Sequence, residues 1–324
     1  ERLTVECTRG DGVAIRGGRR VTLAGCTLCN IGRDGVRIEG GFEHTVLSCD
    51  IFETGECGVF IEAGDRRTLT PCNHRVHNCH IHHVAREGWT YFPTIELRGC
   101  GVVATHNRLH DHRHTLLFYR GNDHRIEYNE CYNFTLEGDD CGCMYTGRDF
   151  SYQGHIVRCN YVHHAGDSRR NEWGSSGVYM DDCAGGTLVR QNVFYLVNKG
   201  VLAGGGVNTH VENNIFVQCS PAVWFDERGA SARRAPGSMV HEFMRDRFYE
   251  VGAHHAPYLG KYPLMDYIHE ALQKGTGVLA RNGRVVRNLI VGSAGQWLNT
   301  HWAKFPDYFE CRDNLETDDP HFVD

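Results

Sequence analysis

The chain has 324 residues and a formal net charge of −6, from 34 basic and 40 acidic side chains. This balance gives no sign of a surface that binds a polyanion, so a nucleic-acid partner is not expected. No stretch approaches the roughly 18 consecutive apolar residues of a membrane-spanning helix, so a membrane partner is not expected either. Nothing in the sequence indicates an oligomeric state.

Cysteine is common, at 15 residues, and the odd number means that at least one thiol cannot pair within the chain. The spacings lack the tandem Cys-x-x-Cys pairs of a zinc ribbon. Disulfide frameworks belong mainly to small secreted domains, so we interpret many of these cysteines as small buried hydrophobic side chains.

Strand-like alternation begins at the first residues, ERLTVECTRGDGVAIRGG, with no capping segment before them. We therefore expect a mature form or a fragment, whose targeting segment would precede residue 1. A secreted or periplasmic location is the corresponding expectation.

A short unit then recurs along the chain, in which an apolar residue is followed at the fourth position by Cys or Asn. Copies include LAGCTL, VLSCDI, VRQNVF and VENNIF, and the shortest spacing between them is close to 22 residues. The fourth position is held by Cys26, Cys49, Cys79, Asn107, Asn129, Asn160, Asn192, Asn214 and Asn288.

A second strand follows in each unit, as in GVRIEGG, TIELRG, GVYMDD and AVWFDERG. Short alternating strands at this period, joined by glycine-rich turns, predict an all-β, right-handed parallel β-helix of the pectin-lyase-like kind. We expect one domain over residues 1–324. Stacked coils place equivalent residues about 4.8 Å apart, so the Cys and Asn positions should form an internal ladder.

Two histidine-rich stretches, HNCHIHHV and HNRLHDHRH, place several histidines at same-face strand spacing, which can bind a metal. A metal site needs three or four converging ligands with supporting groups around them. We interpret these histidines as solvated or stacked turn residues, and expect no metal site and no cofactor. The residues are His80, His82, His110, His112 and His114.

Two Asp-Asp pairs lie on successive coils, in DDCGCMYTGRD and GVYMDD. In the second, Val178 and Met180 alternate with Tyr179 and Asp181, so Asp181 is predicted to point outward. Asp182 would begin the turn and brace it. Stacking of the two coils suggests a separation of about 5–8 Å between the carboxylates of Asp140 and Asp181. The alternative is that both pairs are ordinary turn residues, solvated or bonded to backbone.

Such a carboxylate pair on an outer groove suits glycoside hydrolysis, and proximity would raise one of the two pKa values. Aromatic side chains that could stack on sugar rings include Trp89, Tyr91, Trp173 and Trp224. The candidate substrate-binding residues on the same face are Glu96, Tyr119, Arg120, Arg148, His163, Tyr179, Asp182, Trp224 and Asp226.

The period breaks over residues 230–283, where MVHEFMRDRFYEV and PLMDYIHEALQK have helical spacing. We predict a helical insertion, after which coil strands resume at RVVRNLIV. Tyr258, Tyr262 and Trp297 either cover one end of the groove or pack the insertion onto the coils.

Several of these stretches together resemble the β-helical enzymes of glycoside hydrolase family 141, which includes α-L-fucosidases and xylanases. They are DDCGCMYTGRDFSYQGHIVRCNYVHH, SSGVYMDDCAGGTLVRQNVFYLVNKGVLAGGG and VENNIFVQCSPAVWFDERG, followed by YLGKYPLMDYIHEAL. The resemblance covers roughly residues 74–324 and implies that Asp140 is the acid/base and Asp181 the nucleophile. The sequence departs from it at Cys141 and Cys143, where small residues are expected, and at Val207 and Asn208, where Arg-Asp is common.

Three functions remain open at this point. The first is a glycoside hydrolase, with retention as our expectation, acting on a plant or microbial polysaccharide or oligosaccharide. The second is a polysaccharide lyase, whose acidic cluster would hold Ca²⁺ through six to eight oxygens and whose base would be Lys or Arg. Lysine is nearly absent from the predicted groove, Lys199 being the only one in the core coils, and the net charge is negative. A polyuronate would prefer a basic cleft, so both features count against a lyase. The third is a non-catalytic glycan-binding β-helix.

Overall fold

The computed structural model describes residues 1–166, 174–300 and 309–321. Over these residues the chain winds into a right-handed parallel β-helix, which confirms the predicted fold. Each coil contributes one strand to each of three parallel sheets, which contain 11, 10 and 10 strands. No helix in the described residues is long and apolar enough to cross a membrane.

The first sheet comprises β1 (Thr4–Glu6), β4 (Thr27–Ile31), β7 (Asp50–Thr54), β10 (His80–His82), β13 (Arg108–His110), β16 (Glu130–Phe134), β19 (Tyr161–Ala165), β22 (Val193–Tyr195), β25 (Ile215–Val217), β28 (Leu289–Val291) and β31 (Leu315–Thr317). The second sheet comprises β2 (Val13–Arg16), β5 (Val36–Glu39), β8 (Val59–Ala63), β11 (Ile95–Cys100), β14 (Leu117–Asn122), β17 (Cys141–Gly147), β20 (Ser175–Asp181), β23 (Lys199–Gly204), β26 (Val223–Asp226) and β29 (Leu298–Thr300). The third sheet comprises β3 (Thr22–Ala24), β6 (Thr45–Leu47), β9 (Arg75–His77), β12 (Val103–Thr105), β15 (Arg125–Glu127), β18 (His155–Arg158), β21 (Thr187–Arg190), β24 (His210–Glu212), β27 (Gly283–Val286) and β30 (Phe309–Arg312).

The core runs along the axis of the β-helix, because alternate residues of every strand point inward. In the second sheet, Met144, Val178 and Val201 occupy paired positions on neighbouring strands and are fully buried. All fifteen cysteines are free thiols, and most of them are buried. Their interpretation as small core residues is therefore confirmed.

The bend between the third and first sheets carries the predicted ladder. The side-chain Nδ2 of Asn160 donates to Oδ1 of Asn192 at 3.0 Å, and this link repeats from Asn107 to Asn288. Each Nδ2 also donates to a backbone carbonyl, so these buried amides are well satisfied. The ladder extends one coil further than predicted, to Asn314.

The predicted helical insertion is present and consists of α1 (Met239–Glu250), α2 (Tyr258–Lys261) and α3 (Leu264–Gln273), preceded by 3₁₀ turns at Arg228–Ala230 and Ala232–Arg234. Tyr258 Oη donates to Asn122 Oδ1 at 2.9 Å, and Tyr262 Oη donates to Asp123 Oδ1 at 2.7 Å. Both tyrosines are buried, so they pack the insertion onto the coils rather than cover a groove. Trp297 is partly buried against the main core.

Candidate active site

The outward face of the second sheet carries an aromatic row and, beside it, a row in which glycines flank a carboxylate. On β17, the register partner of Asp181 is Gly147. On β23, Met180 pairs with Ala203, so the next residue, Gly204, lies beside Asp181. A Cβ at Gly204 would lie 2.6 Å from Arg228 Nε. The absence of a side chain at Gly204 therefore makes room for the Arg228 guanidinium above this strand. The aromatic row contains Phe118, Tyr145, Tyr179 and Trp224, with Leu202 between the last two.

Asp181 points outward, as predicted, and three donors converge on its carboxylate. Tyr145 Oη donates to Oδ2 at 2.7 Å, and the backbone N–H of Asp182 donates to Oδ1 at 2.8 Å. Arg228 Nη1 also donates to Oδ1. These partners leave Asp181 only 7% exposed, so its orientation is fixed by its neighbours and only a small part of it reaches the surface.

Asp140 lies in the turn before β17 and is exposed. Its Oδ1 accepts a hydrogen bond of 2.9 Å from Tyr179 Oη. Partial burial of the carboxyl raises the pKa of Asp140 above its usual value. The Tyr179 hydrogen bond opposes this rise, whereas the negative charge of Asp181 adds to it.

The two carboxylates are connected through Tyr179 and Arg228. Arg228 Nη1 donates to Tyr179 Oη at 3.4 Å, so a continuous chain runs Asp140–Tyr179–Arg228–Asp181. Three contacts of this length set an upper limit of about 10 Å on the separation of the contacting carboxylate oxygens, which is compatible with the separation in glycosidase carboxylate pairs.

Stacking alone does not bring these two residues together, which corrects the sequence argument. The register neighbour of Asp181 is Gly147, at the end of β17, whereas Asp140 precedes the start of that strand. Their backbones are therefore offset along the strand. The long side chain of Tyr179 spans the offset, and that contact could not be inferred from coil spacing.

Asp182 is buried and forms ion pairs rather than turn hydrogen bonds to backbone. Arg148 Nε donates to its Oδ2 at 2.9 Å, and Arg234 Nε donates to its Oδ1 at 2.7 Å. Burial would raise the pKa of the Asp182 carboxyl, but the Arg234 and Arg148 guanidiniums prevail and hold it below its usual value. Arg148, a predicted site residue, is thus an ion-pair partner of Asp182.

Arg228 and Arg234 were missed by the sequence analysis. Both follow β26 and enter the insertion, and their Nε atoms bond carboxylates at 2.7–2.9 Å. Asp226, a predicted site residue, accepts from Arg228 Nε at 2.9 Å and from its Nη2 at 2.6 Å. The signal was the basic run ERGASARR directly after an outward Asp, where a turn follows a coil strand.

Glu96 also points outward but is buried beneath two arginines. Arg98 Nε donates to its Oε1 at 2.6 Å, and Arg120 Nη1 lies 3.0 Å from the same oxygen. Both arginines border a polar cavity of about 700 Å³ beside the insertion. Its charged lining comprises Glu62, Arg66, Arg98, Arg120, Asp149 and Arg247, with others.

Two predicted residues are not at the groove, and these are corrections. Tyr119 is completely buried, because it pairs with inward Leu97 and faces the core, where its ring contacts His155. His163 lies on β19 of the first sheet, stacked on Tyr132, because its coil turns onto a different face before the second sheet resumes.

The aromatic candidates for sugar stacking lie at different places. Trp224 is outward and partly buried, with Lys199 Nζ 5.4 Å from its ring centroid. Trp89 and Tyr91 are exposed, although Arg113 covers one face of Trp89. Trp173 lies outside the described residues.

Comparison with family models supports the fold. A family model described as a right handed beta helix region matches residues 2–92. Among solved structures, the chain is similar to a glycoside hydrolase, with 16% identity over 65% of this chain and 38% of that chain, at a TM-score of 0.48. It is also similar to the A-module of the Azotobacter vinelandii mannuronan C-5 epimerase AlgE4, with 12% identity over 96% of this chain and 87% of that chain, at a TM-score of 0.26. No curated protein matches.

Proposed function

We propose that the protein is a glycoside hydrolase that uses Asp140 and Asp181. The observation that supports this most is the hydrogen-bonded chain Asp140–Tyr179–Arg228–Asp181. It connects an exposed carboxyl of raised pKa with a carboxylate held by an arginine and a tyrosine. Two carboxyl groups in different environments are what acid/base and nucleophile roles require.

In the proposed retaining reaction, Asp140 gives its proton to the glycosidic oxygen while a carboxylate oxygen of Asp181 attacks the anomeric carbon. The bond to the leaving sugar breaks as the glycosyl ester forms. Asp140 then takes a proton from water, which attacks the anomeric carbon and releases Asp181. Attack requires Arg228 to shift from Asp181 Oδ1, and its paired contacts with Asp226 would keep it close.

The surroundings suit a ligand rich in hydroxyl groups. The buried faces of Tyr145 and Tyr179 border the carboxylates, and Trp224 continues the row by one further coil beyond Leu202. The charged cavity of about 700 Å³ is a separate feature, because neither Asp140 nor Asp181 lines it. We propose a plant or microbial oligosaccharide or polysaccharide as substrate, with fucosides and xylan as the first to test. Secretion would bring such an enzyme to its polymer.

A polysaccharide lyase is the second candidate, and one residue favours it. Lys199 is buried, and this burial lowers the pKa of its ammonium, against the opposing charges of Asp139 and Asp140. A lysine of lowered pKa beside a groove can act as a base that abstracts a proton next to a carboxylate group.

One set of assays tests both proposals. The chain is incubated with aryl α-L-fucosides, aryl xylosides, xylan and a polyuronate panel, and reducing ends and unsaturated products are measured. Asp140→Asn is expected to lower kcat by about 10²–10⁴-fold on the active substrate. Asp139→Asn, in the same turn, is the matched control and should retain activity.

A nucleophile variant identifies the role of Asp181. In Asp181→Gly, added azide should restore turnover and form a glycosyl azide, because the small anion can occupy the vacated position. Unsaturated products that persist in Asp181→Gly but vanish in Lys199→Ala would instead establish the lyase. No product from any glycan, with binding retained, would favour the non-catalytic alternative.

A further inference from the structure

A second cluster of chemical groups lies on the outward face of the first sheet, away from Asp140 and Asp181. His80 on β10 pairs in register with Asp50 on β7, and His82 follows two positions later on the same face. His80 Nδ1 lies 3.2 Å from Asp50 Oδ1, and His82 Nε2 lies 3.6 Å from the same oxygen. The ligand atoms of all three residues lie within 4.8 Å of one another.

Asp50 Oδ1 itself is buried and has no hydrogen-bond partner among the described residues. A buried carboxylate oxygen that accepts no hydrogen bond is unfavourable. A nearby positive charge would stabilise it, and the two imidazoles carry no such charge when they are neutral. It faces the gap between the two imidazole nitrogens.

The hydrogen bonds behind the histidines fix which nitrogen is free. His110 Nδ1 donates to Asp111 Oδ2 at 2.7 Å, which leaves His110 Nε2 as an acceptor. His80 Nε2, 2.7 Å away, must then be the donor, and its Nδ1 keeps a lone pair toward Asp50.

The same logic applies to His82. Its Nδ1 is 2.8 Å from His83 Nδ1, and His83 Nε2 faces Asp111 Oδ2 at 4.0 Å. With the His83 proton on Nε2, His82 Nδ1 is the donor, and its Nε2 keeps a lone pair toward Asp50. In this tautomer both lone pairs point at the same gap, and Asp111 fixes the His110–His80 chain through its hydrogen bond to His110 Nδ1.

We propose that Asp50, His80 and His82 bind a divalent transition-metal ion of the zinc class. The separations of 3.2 and 3.6 Å bracket the distance of about 3.3 Å between ligand atoms of a tetrahedral zinc ion with bonds of about 2.0–2.1 Å. Two imidazoles and one carboxylate favour such an ion over Ca²⁺ or Mg²⁺. The His80 and Asp50 side chains are 40% and 46% exposed, so the cluster lies at the surface, where an ion can approach it from solvent.

Ring stacking supports the site rather than competing with it. His82 is stacked between Phe52 and His110, with centroids 5.2 and 5.0 Å away, so its ring plane is held and its nitrogens project from the edge. His110, His83 and Asp111 occupy the positions of the supporting groups that orient metal-bound histidines. The histidine spacing alone favours stacked histidines without a metal, whereas the unpartnered Asp50 oxygen leads us to propose a metal ion.

The test is metal binding, which does not depend on glycosidase activity. Tag-free protein is stripped with EDTA, dialysed and titrated with Zn²⁺ in competition with a chromogenic chelator. We expect one equivalent of tight binding. His82→Phe, which preserves the stack beside Phe52, and Asp50→Asn should each abolish it, and His110→Ala should weaken it by about 10–100-fold. His106→Ala is the control, because His106 contacts His77 but belongs to no three-ligand group in the described residues.

Circular dichroism of each variant establishes that the coils remain folded. Co²⁺ in place of zinc provides a second readout, since a four-coordinate site gives visible absorption that His82→Phe should remove. Zinc binding that is absent in the parent protein, or that persists unchanged in His82→Phe and Asp50→Asn, would overturn the proposal.

Discussion

Tyr179 is the residue on which the relation between Asp140 and Asp181 depends. Its ring is nearly fully buried beside Tyr145, with centroids 5.2 Å apart and planes nearly perpendicular. Its hydroxyl donates to Asp140 and accepts from Arg228. A buried hydroxyl with both partners fixed can set the protonation of the acid without contacting the substrate, which makes it a positioning residue.

The pH profile of the proposed reaction should report this contact. The first step needs protonated Asp140, so kcat/KM should fall as pH rises through the raised pKa of that group. Tyr179→Phe removes a hydrogen bond that lowers this pKa, so the basic limb should move up by about half a pH unit to one unit. The measurement is kcat/KM against pH.

Tyr145→Phe is the matched control for that shift. Its hydroxyl donates to Asp181 rather than to Asp140, and its ring packs on the same neighbours. The basic limb should stay in place in this variant while kcat falls. A basic limb that moves equally in both variants would contradict the role given to Tyr179.

At the scale of elements, the turn after β20 is what joins the coils to the helical insertion. Asp182 in that turn is paired with Arg148 at the end of β17 and with Arg234 in the second 3₁₀ turn. Arg228 and Arg234 thus hold adjacent carboxylates from one short segment. The insertion therefore contributes to the site through its first residues, whereas its helices pack in a buried cluster that includes Cys183 of the same turn.

Asp182→Asn should destabilise the protein by about 2–4 kcal/mol at neutral pH, because it leaves the Arg234 guanidinium buried without its counter-charge. The pKa of Asp182 is lower in the folded protein than in the unfolded chain. Its contribution to the free energy of unfolding is therefore complete above the unfolded-state pKa and is lost as the pH falls through the folded-state pKa. Urea unfolding should therefore show a larger difference between parent and variant at about pH 6 than at about pH 3, and the difference should shrink further as the pH is lowered. An equal difference at both values would argue against the ion pairs.

The asparagine ladder should show a gradient from its middle to its end. Asn160→Ala removes two donated and two accepted hydrogen bonds from a buried bend, so a loss of about 3–5 kcal/mol is expected. Asn314→Ala is the comparison, because that residue is only partly buried and water can replace the lost partners; about 1 kcal/mol is expected. Chemical denaturation measures both. Equal losses would show that burial does not govern the ladder.

For the molecule as a whole, the repeat predicted the structural features that depend on the coil period. It did not predict features that depend on a contact between two particular side chains. Stacking of Asn and Cys and the inward direction of Val178 and Met180 follow from spacing alone. In LLFYRG, the two adjacent leucines make it ambiguous which residues of the strand point inward. Because neighbouring strand residues point to opposite faces, an outward Arg120 requires an inward Tyr119. Which of the three faces a residue joins is set by where the coil bends, and irregular turn lengths hide that from the sequence. His163 is the example.

The state of the cysteines offers a test of the whole fold. All fifteen are free, but Cys7 and Cys311 are the two that are exposed, and Cys159 is partly exposed. Native protein should therefore react at once with two equivalents of a thiol reagent and slowly with a third, since burial within the coils blocks the others. Unfolding in denaturant without reductant should make all fifteen thiols reactive.

The control is Cys7→Ser combined with Cys311→Ser, which should remove the fast phase of the thiol reaction and leave the unfolding midpoint unchanged. Fewer than fifteen thiols after unfolding would mean that coils are joined by disulfides, and the packing of Cys26, Cys49 and Cys79 along the bend would then have to differ from that described.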